Sequence, residues 1–168
     1  MTYSIVYVSR TGNTRLIAEA IRDALPGKDC LYFGPPSPDA LEAGLILAGF
    51  WTDKGSCSET FTRFLATLSG KRVALFGTAG FGGAPEYFEQ ILARVRSLLP
   101  EDSSFAGGFL CQGRMPEAVG ARYRAALAEK AEDTRSRALL ENFEQARSHP
   151  DSGDLKRAAA FAAGLTGN

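Results

Sequence analysis

Short apolar runs alternate with amphipathic stretches along the first two thirds of the chain. Residues 4–8, 31–33, 45–50, 73–76 and 105–111 are near-continuous apolar runs. Runs of this length without polar alternation predict strands buried on both faces of a sheet. Between them lie stretches with apolar residues at helical spacing. Residues 14–24 place Leu16, Ile17, Ala20 and Ile21 together, residues 59–68 place Phe61, Phe64, Leu65 and Leu68, and residues 87–99 place Ile91, Leu92, Val95 and Leu98. Such a strand–helix series predicts an α/β, three-layer, doubly wound parallel sheet with right-handed crossovers. After Gly113 the pattern turns wholly helical, over 116–130 and 133–147, with a break at 148–153 and a last alanine-rich helix over 154–165. No repeat or linker interrupts the chain, so residues 1–168 read as one domain with a helical addition over 113–153 before the last helix.

Composition narrows the class. Nineteen basic and nineteen acidic residues give a formal net charge of zero, so bulk charge offers nothing to nucleic acid or to an anionic membrane. Neither is expected as a partner. No run approaches the roughly 20 apolar residues of a membrane span, and no signal peptide is visible. Cys30, Cys57 and Cys111 are separated and form no CxxC, and His149 is the single histidine. That set excludes a zinc ribbon, which needs about four Cys/His ligands, and argues against a disulfide framework. Reduced thiols fit a cytoplasmic location.

In a doubly wound sheet, ligands sit at the carboxyl ends of the strands, which directs attention to the loops after the first, third and fourth strands. The first reads Ser9-Arg10-Thr11-Gly12-Asn13-Thr14. It brings three hydroxyls, an amide and a glycine to a helix N-terminus, whose unpaired N–H groups favour an anion. A P-loop lysine and a GxGxxG are both absent, so the pattern is neither a Walker motif nor a dinucleotide fingerprint. A phosphate dianion would be held by hydroxyls and amides, with Arg10 optional. The second loop opens on Trp51-Thr52, and the third is the glycine-rich run Gly77-Thr78-Ala79-Gly80-Phe81-Gly82-Gly83. No Ser-His-Asp, HExxH or paired-carboxylate arrangement is evident.

The run Ile5-Val6-Tyr7-Val8-Ser9-Arg10-Thr11-Gly12-Asn13-Thr14, with Ala18 and Ile21 following, resembles the FMN-phosphate signature of flavodoxin-like proteins. The resemblance covers about residues 1–113. More narrowly, residues 49–55 and the tail at 148–155 resemble flavodoxin-like proteins associated with bacterial bilirubin reductases. It implies a five-stranded sheet of order 2-1-3-4-5 and noncovalent FMN. The phosphate would lie on Ser9, Arg10, Thr11, Gly12, Asn13 and Thr14. The isoalloxazine would lie between Trp51 and Thr52 on one side and Thr78, Ala79, Gly80, Phe81 and Gly82 on the other, with Phe81 as the outer aromatic. It also implies a glycine carbonyl in the Trp51 loop that can turn toward the ring; Gly55 is the candidate glycine, although Thr52 stands nearer the expected position.

Function then divides three ways. The first is electron transfer through FMN to a dedicated partner enzyme. The second is direct FMN-dependent reduction of a quinone, porphyrin or bilin-type acceptor. The third is a flavin-free interaction module. Family carriers are strongly acidic, which steers them to basic partners. This balanced chain suits a dedicated or substrate-linked role better than free shuttling. Gln112, Gly113 and Arg114 leave the fifth strand at its carboxyl end, where Arg114 could meet a substrate carboxylate.

Overall fold

A computed structural model describes residues 1–82 and 84–167; Gly83 of the glycine-rich loop lies outside them. Five strands, β1 (Tyr3–Tyr7), β2 (Cys30–Gly34), β3 (Leu45–Trp51), β4 (Arg72–Ala79) and β5 (Ser104–Gln112), form one sheet of order β2-β1-β3-β4-β5. Every adjacent pair runs parallel. Helices α1 (Asn13–Ala24), α2 (Glu59–Leu65), α3 (Pro85–Arg96), α4 (Glu117–Glu129), α5 (Thr134–Ala146) and α6 (Ser152–Thr166) complete it.

The two faces of the central strands carry separate cores. Successive side chains of a strand point to opposite faces. Tyr3, Ile5, Leu45, Leu47, Ala74 and Phe76 therefore pack against Ile17, Ala18 and Ile21 of α1 and Ala158 and Ala162 of α6. Val6, Ile46, Ala48, Phe50, Val73 and Leu75 pack against Phe61, Phe64 and Leu65 of α2 and Ile91 and Val95 of α3. The alanine-rich α6 thus takes the covering position beside α1, because small residues let the two helices share the face. Gly49 has no room for a side chain there: a Cβ would stand 2.3 Å from the Phe76 ring.

The helical addition is the pair α4–α5, which pack on each other and stand beyond the carboxyl end of β5. Phe143 of α5 is 1% exposed and lies where a Cβ on Gly120 of α4 would be. Asp133 caps α5 by accepting from the Ser136 N–H at 3.1 Å. Asp151 and Asp154 form a reciprocal capping box at the start of α6, each bond 2.8 Å long. Asp154 also accepts from Arg157 and pairs with His149 Nδ1 at 2.6 Å. His149 is therefore part of the α6 cap, and it precedes a cis proline.

Candidate functional site

The loops after β1, β3 and β4 converge with the segment after β5 around a cleft of about 490 Å³, counting its solvent-open part. Ser9, Arg10, Thr11, Asn13 and Thr14 form one wall, Trp51 and Thr52 a second, and Thr78, Ala79 and Gly80 a third.

The first wall follows from how α1 begins. Gly12 is the N-cap, at φ 93°, and provides no capping side chain. A left-handed φ favours glycine here, and the first-turn N–H groups are left without a side-chain acceptor from the cap. The Asn13 amide is turned away from them. It donates to Thr11 Oγ1 at 3.1 Å and to the Arg114 carbonyl at 2.7 Å. Ser9 Oγ accepts from the Arg15 N–H at 3.3 Å. Thr14 and Thr78, both buried, share a hydroxyl hydrogen bond of 3.1 Å, joining α1 to the end of β4.

On the second wall the Arg10 guanidinium lies 5.3 Å from the centroid of the Trp51 ring. Thr52 donates its N–H to the Thr78 carbonyl at 2.9 Å, while its side-chain Oγ1 is buried without a partner. A buried hydroxyl is nearly always hydrogen-bonded, so this orphan in the cleft wall marks a place for a ligand polar atom. Among the described residues the cleft lining has two cationic side chains, Arg10 and Arg114, and no carboxylate. Its donor set of hydroxyls, helix N–H groups and arginines suits an anionic ligand with a planar, polar-edged ring. FMN fits that description.

The structure does not bring every candidate residue into the cleft wall. Gly12 serves the α1 cap and borders a neighbouring groove with Tyr7 and Pro35. Phe81 is 39% exposed and meets Tyr87 edge-on with centroids 6.5 Å apart, because an apolar neighbour on α3 is available outside the cleft. Gly82 faces Gln112 instead. Gly55 is also outside. Asp53 and Ser56 pair as a tight hairpin with Lys54 and Gly55 both at positive φ, the backbone of a primed turn. The Gly55 carbonyl accepts from Arg94 at 3.3 Å.

Two further residues enter the cleft that the sequence did not single out, Met115 and Pro116, alongside Gly113 and Arg114. A Cβ on Gly80 would lie 2.7 Å from Met115 Sδ, so the absence of one lets the segment after β5 close on the glycine-rich loop. No local periodicity signals that approach; only the topology produces it. Cys57 stands apart from the cleft with its Sγ 3.4 Å from Thr62 Oγ1. Burial pushes the Cys111 thiol up, as expected of a core thiol. Among the described residues no helix is long and apolar enough to cross a membrane.

The comparisons agree with this architecture. The flavodoxin domain model matches residues 4–163. A flavodoxin-like domain-containing protein BilS of Clostridium symbiosum (strain WAL-14163) is 38% identical over 96% of this chain and 92% of its own length. A short-chain flavodoxin associated with a non-canonical PDU bacterial microcompartment superposes with a TM-score of 0.63 at 18% identity, over 99% of this chain and 97% of that one. A flavoprotein from Lactobacillus acidophilus NCFM, solved in complex with FMN, gives a TM-score of 0.53 at 17% identity over 65% of this chain and 92% of its own. Sheet order, cleft position and a family match spanning nearly the whole length lead to one conclusion: the chain belongs to the flavodoxin-like family.

Proposed function

We propose that the chain binds FMN noncovalently in this cleft and passes electrons to a dedicated partner enzyme in the cytoplasm. The observation that carries the proposal is the convergence of Thr11, Asn13 and Thr14, at a helix N-terminus whose cap residue Gly12 has no side chain, with the orphaned Thr52 hydroxyl and Trp51. The phosphate would rest on the first-turn N–H groups and on the hydroxyls, with Arg10 and Arg114 supplying charge. Trp51 offers an aromatic face to the ring, worth roughly 0.5–1.5 kcal/mol beyond area burial. Bound FMN supplies the redox chemistry, while the chain binds, orients and shields it.

The relative named BilS supports a partner of restricted type. The resemblance to proteins associated with bilirubin reductases points to a reductase acting on a linear tetrapyrrole. The formal net charge of zero also fits a dedicated complex better than long-range steering.

One observation favours a second reading, in which the protein reduces a small organic acceptor itself. Arg114, Met115 and Pro116, from the segment leading into the helical addition, border the cleft and could hold such an acceptor. The two readings separate anaerobically. FMN-loaded protein is reduced chemically and mixed with a quinone, a tetrapyrrole or a candidate reductase, and reoxidation is followed in the visible band. The carrier reading expects fast reoxidation only when the reductase is present. Equal rates with an acceptor alone overturn it.

A further inference from the structure

The glycine-rich loop after β4 is held from outside the cleft by two side-chain amides. Gln112, at the end of β5, donates to the Gly80 carbonyl at 3.1 Å and to Asn142 Oδ1 at 3.2 Å. Asn142, on α5 of the helical addition, donates to the same Gly80 carbonyl at 3.1 Å. The three groups form a closed triangle. Gln112 is 7% exposed and also packs on Gly82, where a Cβ would come within 2.7 Å of its side-chain oxygen. Neither Gln112 nor Asn142 lines the cleft.

The peptide plane gives this triangle a consequence. A trans peptide is planar, and its C=O and N–H point to opposite edges. With the Gly80 carbonyl fixed on Gln112 and Asn142, the Phe81 N–H of the same peptide is turned away from them. Among the described residues that N–H donates to no backbone acceptor. Two donors on one carbonyl also resist a peptide flip, since rotation would take that acceptor from the buried Gln112 amide and the half-buried Asn142 amide.

We infer that Asn142 and Gln112 are positioning residues that lock the Gly80–Phe81 peptide so that its N–H is presented to the ring edge of the cofactor. The inference rests on the FMN reading above. It gives part of the helical addition a task at the site: α5 reaches back to set the ring-binding loop, while Gly12 opens the helix behind the phosphate loop.

Comparing FMN with riboflavin, which carries the ring without the phosphate, tests this. The wild-type chain, Asn142→Leu, Gln112→Met and Thr11→Val are titrated with each ligand by flavin fluorescence. The Phe81 amide is followed by ¹⁵N NMR. Asn142→Leu and Gln112→Met should each weaken FMN and riboflavin by the same factor, about tenfold for a lost charge-free hydrogen-bond lock. Thr11→Val should weaken FMN alone. In the wild type the Phe81 amide proton should move downfield when either ligand binds, and in Asn142→Leu it should not. A folded Asn142→Leu or Gln112→Met chain with unchanged riboflavin affinity and an unchanged Phe81 shift overturns the inference and leaves the FMN reading standing. A wild-type chain that takes up neither ligand overturns both.

Discussion

Thr14 and Thr78 share a hydroxyl hydrogen bond of 3.1 Å at positions 1% and 3% exposed. The pair links the first turn of α1 to the end of β4, and so ties two walls of the cleft together. Thr14→Val leaves the Thr78 hydroxyl buried and unpaired, and should cost about 1–3 kcal/mol in urea unfolding. Thr14→Val/Thr78→Val removes both polar partners, so its cost should fall short of the sum of the single variants. FMN affinity should drop in all three.

Trp51 is the single tryptophan of the chain and stands in the cleft wall with Arg10 over its ring. Its fluorescence therefore reports on the cleft alone. Adding FMN should quench it in step with the quenching of the flavin. Arg10→Ala should alter the starting emission and leave the quenching on saturation intact.

The helical addition should be sensitive to one methyl group. A Cβ on Gly120 would lie 2.4 Å from the Phe143 ring, and Phe143 is held further by Arg147 at 5.0 Å from its centroid. Gly120→Ala should overpack this contact by about 1–3 kcal/mol, offset by roughly 1 kcal/mol of helix propensity. Hydrogen exchange should show loss of protection over residues 117–146 with the sheet unchanged.

Stability should bend at both ends of the pH scale. Burial, with Cys30 and Asp29 adding to it, pushes Tyr3 up to about 12, and its hydroxyl donates to the Pro26 carbonyl. A raised folded value stabilises below the unfolded one, so this contribution is complete below pH about 10 and is lost as pH rises toward about 12. Tyr3→Phe should flatten that limb of the thermal midpoint. The Asp154 backbone N–H holds the Asp151 carboxyl below its ordinary value, and the Ser136 hydroxyl does the same for Asp133. Depressed carboxyls stabilise above the ordinary range and lose that effect as pH falls below about 4. Asp151→Asn and Asp133→Asn should each reduce the acid sensitivity.

The fold was legible because the core strands are near-continuous apolar runs and α1, α2 and α3 carry apolar residues at helical spacing. The expected sheet order matches the structure. The expected helices over 116–130 and 133–147 appear as Glu117–Glu129 and Thr134–Ala146. Boundaries shifted where caps decided them. The last helix starts at Ser152 rather than 154 because Asp151 and Asp154 close a capping box of two aspartates, and α2 stops at Leu65. Ser9, Arg10, Thr11, Asn13, Thr14 and Trp51, singled out from local sequence, stand together in the cleft wall. The placement of the Phe81 ring was not readable, because it follows Tyr87 on α3, a neighbour known only once the chain is folded. Met115, Asn142 and Gln112 reach the glycine-rich loop through tertiary approach, which leaves no trace in spacing.

The central claim is that this cleft holds FMN, and its most direct test is titration of the cofactor-stripped chain with FMN. Quenching of flavin fluorescence should saturate at one FMN per chain, and the yellow colour should travel with the protein on gel filtration. FMN that stays fully fluorescent and elutes apart from a folded chain would contradict the account.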